Sequence, residues 1–95
     1  CKGEVIYWRF YQQNNLLRDN ILADILANVT GYKLVDECGS AGGYKDWCIQ
    51  KLGIPAFTIE VGSDEYSHPF PYSQIDKIYG QNKLVPKALI ENLIY

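Results

Sequence analysis

The residue that most suggests chemistry is Glu60, because its carboxylate lies within an apolar run. Residues 56–61 read Ala-Phe-Thr-Ile-Glu-Val between Pro55 and Gly62, a pattern typical of a strand. A buried carboxylate is costly unless it is paired, hydrogen-bonded or bound to a metal. Two interpretations are open. Alternation along the strand directs Glu60 to water and its apolar neighbours to a core. Alternatively, Glu60 is a general base at the strand's end, where open α/β sheets place their sites.

Other side chains with nucleophile or metal-ligand chemistry are few. The one histidine, His68, is interpreted as a solvated loop residue rather than a substrate contact, and one histidine cannot build a His-rich zinc site. Cys1, Cys38 and Cys48 form no CxxC pair and are odd in number, which excludes a closed disulfide framework and favours a reducing compartment. The glycine-rich residues 39–43 match neither nucleotide-binding motif, so nucleotide binding is not expected.

Size and charge exclude several classes of function. Ninety-five residues make one small domain at most. A net charge of -2 with scattered lysines and arginines gives no basic patch for a phosphate backbone, so nucleic acid is not an expected partner. No apolar run approaches the roughly 20 residues that a membrane span needs.

The hydrophobic pattern predicts strands that alternate with helices. Predicted strands cover residues 4–10, 32–37 and 56–61, and predicted helices cover residues 14–30, 44–52 and 73–95, the last bent near residues 82–86 by Gly80 and Pro86. This order indicates the α/β class, with a partial mixed sheet of about three strands flanked by three helices.

The first predicted helix has the clearest boundaries and the clearest apolar face. Asn14 or Asn15 is expected to cap its start, and Gly31 is expected to end it. Helical spacing places one set of residues on the buried face, with Arg18 and Asp19 elsewhere. The predicted buried set is Leu17, Ile21, Leu22, Ile25, Leu26 and Val29.

With these elements placed, the chain resembles the C-terminal part of the zinc carboxypeptidase family. The resemblance is carried by Ser40-Ala41-Gly42-Gly43, by Asp46-Trp47 and by Phe57-Thr58-Ile59-Glu60, a small-residue loop, an Asp-Trp pair and a strand with the catalytic glutamate at the family's spacing. The segments GEVIYWRF, GGYKDWCIQ and FTIEVG resemble still more closely the bacterial γ-D-glutamyl-L-diamino acid endopeptidases, which cut cell-wall peptides. The resemblance implies a single partial domain, residues 1–95, of an α/β/α metallopeptidase catalytic domain.

The resemblance also implies roles for individual residues. Glu60 matches the general base that deprotonates a zinc-bound water and passes the proton to the leaving amine. Lys45 matches the position that sets the character of the pocket for the residue after the cut, where a cation suits a carboxylate of the substrate; the alternative is a solvated lysine at a helix N-terminus. Cys38 stands where digestive members carry a mobile tyrosine, for which Tyr44 is a candidate substitute.

The match to the family is incomplete at the metal. The family binds zinc through an upstream HxxE motif and a third histidine that falls directly ahead of Cys1, so the chain is expected to hold no zinc ligand and no bound zinc. The leading hypothesis is a bacterial zinc peptidase, acting on peptide or γ-D-glutamyl-diamino acid bonds of cell-wall peptides, of which these residues are a C-terminal half that is inactive alone. The bacterial cytoplasm is the favoured compartment, and secretion stays open. An exopeptidase is a second enzyme interpretation. The alternative class is a non-catalytic interaction module, and self-association is expected either way.

Overall fold

The strands of the protein form one mixed sheet, as the sequence predicts. A computed structural model describes residues 3–10, 13–36, 43–62 and 72–92. Strand β1 (Val5–Tyr7) lies in the centre, between β2 (Lys33–Val35) and β3 (Thr58–Glu60). β1 is parallel to β2 and antiparallel to β3. The three strands are shorter than predicted, and all three lie inside the predicted ranges.

Three helical segments accompany the sheet, in the order that the periodicity predicts. The first is α1 (Leu16–Thr30), and the second is α2 (Tyr44–Trp47), which continues into a π-helical turn (Cys48–Leu52). The third is the bent C-terminal segment, which comprises α3 (Ile75–Asn82) and α4 (Val85–Asn92). Pro86 lies in the first turn of α4, where its missing N–H costs no helical hydrogen bond.

The hydrophobic core lies on one face of the sheet. Its buried members come from β1, α1, the residue before β2, and α4, namely Ile6, Leu26, Tyr32, Val85 and Ala88. Ile6 pairs with Leu34 on one side and Ile59 on the other, and both neighbours also pack against this core. α1 and α4 therefore cover the face of the sheet that these three side chains define.

The structure agrees with the predicted end of α1 but not with the predicted cap at its start. Gly31 ends the helix with φ 78°, in the left-handed region that favours glycine, and its N–H donates to the carbonyl of Ala27 at 2.8 Å. The predicted end is therefore confirmed. At the start, Asn15 occupies the capping position, but its side chain makes no capping hydrogen bond.

The buried face of α1 differs from the predicted one. Leu22 and Leu26 are buried as predicted, whereas Leu17 and Ile21 remain exposed, Leu17 by 76%. Asp19, predicted to lie elsewhere, is only 1% exposed. The reason is that hydrogen bonds satisfy its carboxylate on both oxygens, which removes much of the cost that keeps most carboxylates on the surface.

None of the helices in the described part of the chain is long and apolar enough to cross a membrane. This finding agrees with the expectation from the hydropathy of the sequence.

Candidate active site

Glu60 is the last residue of β3 and lies at the amino-terminal end of the central strand. It pairs with Val5, and its carbonyl accepts a hydrogen bond from the N–H of Glu4 at 2.7 Å. Ile59 packs against the core, so alternation directs the side chain of Glu60 to the opposite face of the sheet. The residue is nevertheless half-buried. The predicted alternation along β3 is thus confirmed.

The reasoning that placed Glu60 at a typical α/β site requires a correction. Such sites lie outside the carboxyl ends of parallel strands. β3 runs antiparallel to β1, so its carboxyl end meets the amino ends of β1 and β2. Glu60 therefore lies beside the amino ends of the parallel strands β1 and β2, the opposite ends from those where such sites are usually found. The chain that leads into β1 arrives beside Glu60.

Lys45 lies near the other end of β1. Its ammonium donates to the carbonyl of Arg9 at 2.8 Å and contacts Asp46 Oδ1 at 2.5 Å. The Lys45 side chain is only 13% exposed, so the alternative of a solvated lysine is wrong. Arg9 lies beyond the carboxyl end of β1 (Val5–Tyr7), whereas Glu60 pairs with Val5 at the start of that strand. Lys45 and Glu60 therefore adjoin opposite ends of β1.

Arg9 adds a second cation to this end of the sheet. Its Nε atom is buried and has no hydrogen-bond partner among the described residues. An unsatisfied buried donor of this kind costs about 1–3 kcal/mol. Lys45 contacts Arg9 through the backbone carbonyl of Arg9.

Tyr44, the candidate substitute for a mobile tyrosine, is the most exposed of the predicted site residues, at 81%. Its ring stacks on Trp47, with centroids 6.2 Å apart. A hydrogen bond with the sulfur of Cys48 raises the pKa of the Tyr44 hydroxyl. The hydroxyl is therefore protonated at neutral pH and engaged within its own helical segment.

Asp19 connects the chain after β1 to α1. Its two oxygens accept hydrogen bonds from Gln13 Nε2 at 2.5 Å and from Arg18 Nε at 2.9 Å. Gln13 also binds the backbone of Trp8 and Phe10, and Arg18 binds the carbonyl of Gly53 at 2.9 Å. The Asp19 cluster, defined as Gln13, Arg18 and Asp19, thus holds three separate segments together.

Near Glu60, four polar side chains form a second group, which we call the Glu4 network. Tyr32 donates to Gln81 Oε1 at 3.0 Å, and Gln81 Nε2 donates to Glu4 Oε2 at 3.1 Å. Asn82 Nδ2 donates to the hydroxyl of Tyr32 at 2.9 Å. The network joins residues up to 77 positions apart in the chain, and it links α3 to the start of β1.

The protonation of Tyr32 fits this arrangement. Burial raises the pKa of the Tyr32 hydroxyl, the hydrogen bond from Asn82 lowers it by a smaller amount, and the charge of Glu4 raises it further. At neutral pH the hydroxyl therefore keeps its proton and donates it to Gln81. The hydrogen bonds then run in one direction, from Asn82 to Glu4, an order in which each bond polarises the next.

Sequence reasoning missed Glu4, Tyr32, Gln81 and Asp19. In the structure, Glu4 stands apart by its backbone conformation, since its φ of 64° is rare for a residue other than glycine. No spacing in the sequence points to Gln81 or Tyr32, because the network depends on how α3 packs. Some predicted features, namely His68, Cys1, Cys38 and residues 39–42, lie outside the described residues.

The residues that the structure describes do not fit a zinc ion. Among them, no group of three or more His, Cys, Asp or Glu side chains is placed to hold a metal, whereas a protein zinc site needs at least three such ligands. Glu4 and Glu60 adjoin through their backbones, and two carboxylates fall short of that number.

Comparison with known proteins gives one informative result. The chain is 37% identical over 78 residues to "Gamma-D-glutamyl-L-diamino acid endopeptidase 1" of Lysinibacillus sphaericus. The match covers 82% of this chain and 19% of that protein, so the chain spans about a fifth of its relative's length. A match of this length cannot leave out the middle of the chain, where Lys45 lies. No family model and no solved structure matches the chain.

Proposed function

We propose that this chain is the glutamate-bearing part of a longer peptidase that hydrolyses γ-D-glutamyl-L-diamino acid bonds in cell-wall peptides. The observation that carries the proposal is the 37% identity to a named endopeptidase across 82% of the chain. Because the chain spans only 19% of that relative, the activity is assigned to a longer protein that includes these residues. The 95 residues alone are proposed to be inactive.

Glu60 is the proposed general base. A half-buried carboxylate at the end of a strand is held in a fixed direction by the sheet and is only partly solvated. In the proposed reaction it takes a proton from the water that attacks the scissile carbonyl. As the C–N bond breaks, it passes that proton to the departing amine. A positioned base contributes about 10²–10⁴-fold to such reactions.

Lys45 and Tyr44 remain proposed substrate contacts. A lysine ammonium has three donors, and among the described residues Asp46 and the Arg9 carbonyl engage two of them; the third is proposed to bind a substrate carboxylate. Tyr44 offers an exposed aromatic ring. Lys45 binds the chain beyond the carboxyl end of β1, whereas Glu60 pairs with Val5 at its amino end, so Lys45 is proposed to contact the substrate at a distance from the bond that breaks.

Zinc is proposed for the longer protein, with its ligands outside the described residues, since those residues do not fit the ion. If the resemblance holds, the metal would activate the attacking water. The part assigned to Glu60 requires only that it lie within hydrogen-bond reach of that water.

The proposal is tested on two synthetic peptides that differ only in the bond before the diamino acid. One carries D-glutamate joined through its γ-carboxyl, and the control carries glutamate joined through its α-carboxyl. We expect the longer protein to cleave the γ-linked peptide and spare the control, with products identified by mass spectrometry, and a chelator to abolish cleavage. No turnover of the γ-linked peptide, or zinc-dependent turnover by the 95-residue chain alone, would contradict the proposal.

A second candidate function, self-association without catalysis, is favoured by the surface of the described residues. Large apolar side chains are exposed on α1 and on α4, among them Leu17 at 76% and Ile90 at 73%. β2 and β3 are both outer strands of the three-stranded sheet, and outer strands pair readily with other chains. We expect sedimentation of the 95-residue chain across a concentration series to show a rising average mass. A constant monomer mass would reject this candidate.

A further inference from the structure

We propose that Glu4 is a positioning residue that fixes Glu60 at the end of β3, through the Glu4 network. The inference rests on the proposed role of Glu60. It concerns a residue that binds Glu60 through a backbone hydrogen bond, and it assigns a purpose to hydrogen bonds that the proposed reaction does not use.

The backbone of Glu4 binds both neighbouring strands. Its N–H donates to the carbonyl of Glu60 at 2.7 Å, and its carbonyl accepts from the N–H of Lys33 at 3.2 Å. Any rotation of the peptide groups around Glu4 would therefore move the end of β3. The position of Glu60 thus depends directly on the conformation of this one residue.

That conformation is unfavourable by itself. Glu4 has φ 64°, in the left-handed region, where the Cβ of a non-glycine residue comes too close to the following carbonyl oxygen. Such conformations persist only where the surrounding structure determines them, and they cluster at functional sites. Glu4 adjoins the proposed catalytic residue, as expected for a functional distortion.

The side chain of Glu4 supplies the restraint. Gln81 Nε2 donates to Glu4 Oε2 at 3.1 Å, and Gln81 is itself held by Tyr32, a core residue that is 4% exposed. Asn82 binds Tyr32 from the next position on α3. The carboxylate of Glu4 is therefore anchored to the core through two side chains, and the anchored side chain opposes relaxation of φ.

The test uses nuclear magnetic resonance on the full 95-residue chain and compares Glu4→Ala with Glu4→Gln. Alanine removes the acceptor, whereas glutamine keeps an oxygen for Gln81. In Glu4→Ala we expect the amide of residue 4 to exchange about 10-fold faster and the carboxyl resonance of Glu60 to shift. In Glu4→Gln, the exchange rate of the residue 4 amide should lie within about 2-fold of the wild-type rate. The carboxyl resonance of Glu60 should lie near its wild-type position. Glu91→Ala, which truncates an exposed glutamate on α4, is the control and should change neither.

Gln81→Met serves as a second variant, because it removes the donor to Glu4 without changing residue 4. If Glu4→Ala fails to fold, Gln81→Met is compared with the wild type instead. The inference is overturned if residue 4 and Glu60 do not respond, if glutamine fails to restore them, or if all amides exchange faster to the same degree. Its failure is distinct from failure of the proposed function. A fully active Glu60→Gln peptidase would remove the catalytic role, whereas an unresponsive Glu60 resonance would remove only the positioning role.

Discussion

Replacing Glu60 with glutamine is expected to lower kcat of the longer peptidase by about 10²–10⁴-fold, the usual contribution of a general base. Glutamine keeps the size and polarity of the side chain but cannot accept the proton of the attacking water. The backbone hydrogen bond from Glu4 to the Glu60 carbonyl is kept in this variant, and the circular dichroism spectrum is expected to match that of the wild type. The measurement is steady-state turnover of the γ-linked peptide, together with the far-ultraviolet circular dichroism of each variant.

Glu91→Gln is the matched control for this experiment. Glu91 lies on α4 and its side chain is 60% exposed, so the same chemical change should leave kcat within about 2-fold. A Glu60→Gln enzyme with kcat equal to that of the wild type would show that another group takes the proton.

Replacing Asp19 with alanine should lower the free energy of unfolding of the 95-residue chain by about 3 kcal/mol. The carboxylate is 1% exposed and accepts from Gln13 and Arg18. Its removal leaves two donors without their acceptor, one of them charged, and such losses cost about 1–3 kcal/mol per group. Urea denaturation at neutral pH measures the change, provided that the slope of the unfolding free energy with urea concentration is the same in both proteins.

Asp24→Ala provides the control, because Asp24 lies on the same helix and is exposed. Exposed substitutions of this kind usually change stability by less than about 0.5 kcal/mol. Equal effects of the two variants would mean that the Asp19 cluster contributes nothing beyond an ordinary surface aspartate.

Several features of the fold are predictable from the sequence because they depend on local chemistry. Gly31 ends α1 since only glycine adopts the left-handed conformation at little cost. The break between α3 and α4 lies just before Pro86, in the first turn of α4, whereas Gly80 lies within α3. The alternation around Glu60 also appears directly in the sequence, because a strand directs successive side chains to opposite faces. In each case the deciding residues are neighbours in the chain.

Other features depend on contacts between distant segments and have no local signal. The direction of β3 decides which edge of the sheet carries Glu60, and a short strand pattern does not encode direction. Asp19 is buried because Gln13 and Arg18 reach its carboxylate, which periodicity along α1 cannot show. Lys45 had two predicted environments, and the ion pair with Asp46 excludes the solvated one without testing a contact with substrate.

The catalytic interpretation of Glu60 is tested most directly by the residues that precede Cys1 in the coding sequence, determined together with the intact mass and N-terminal sequence of the purified protein. From the resemblance to the zinc carboxypeptidase family, the account predicts a histidine directly ahead of Cys1 and an HxxE motif further upstream in the same reading frame. A reading frame that lacks both would leave Glu60 without a metal centre and would contradict the assignment of this chain to a zinc peptidase.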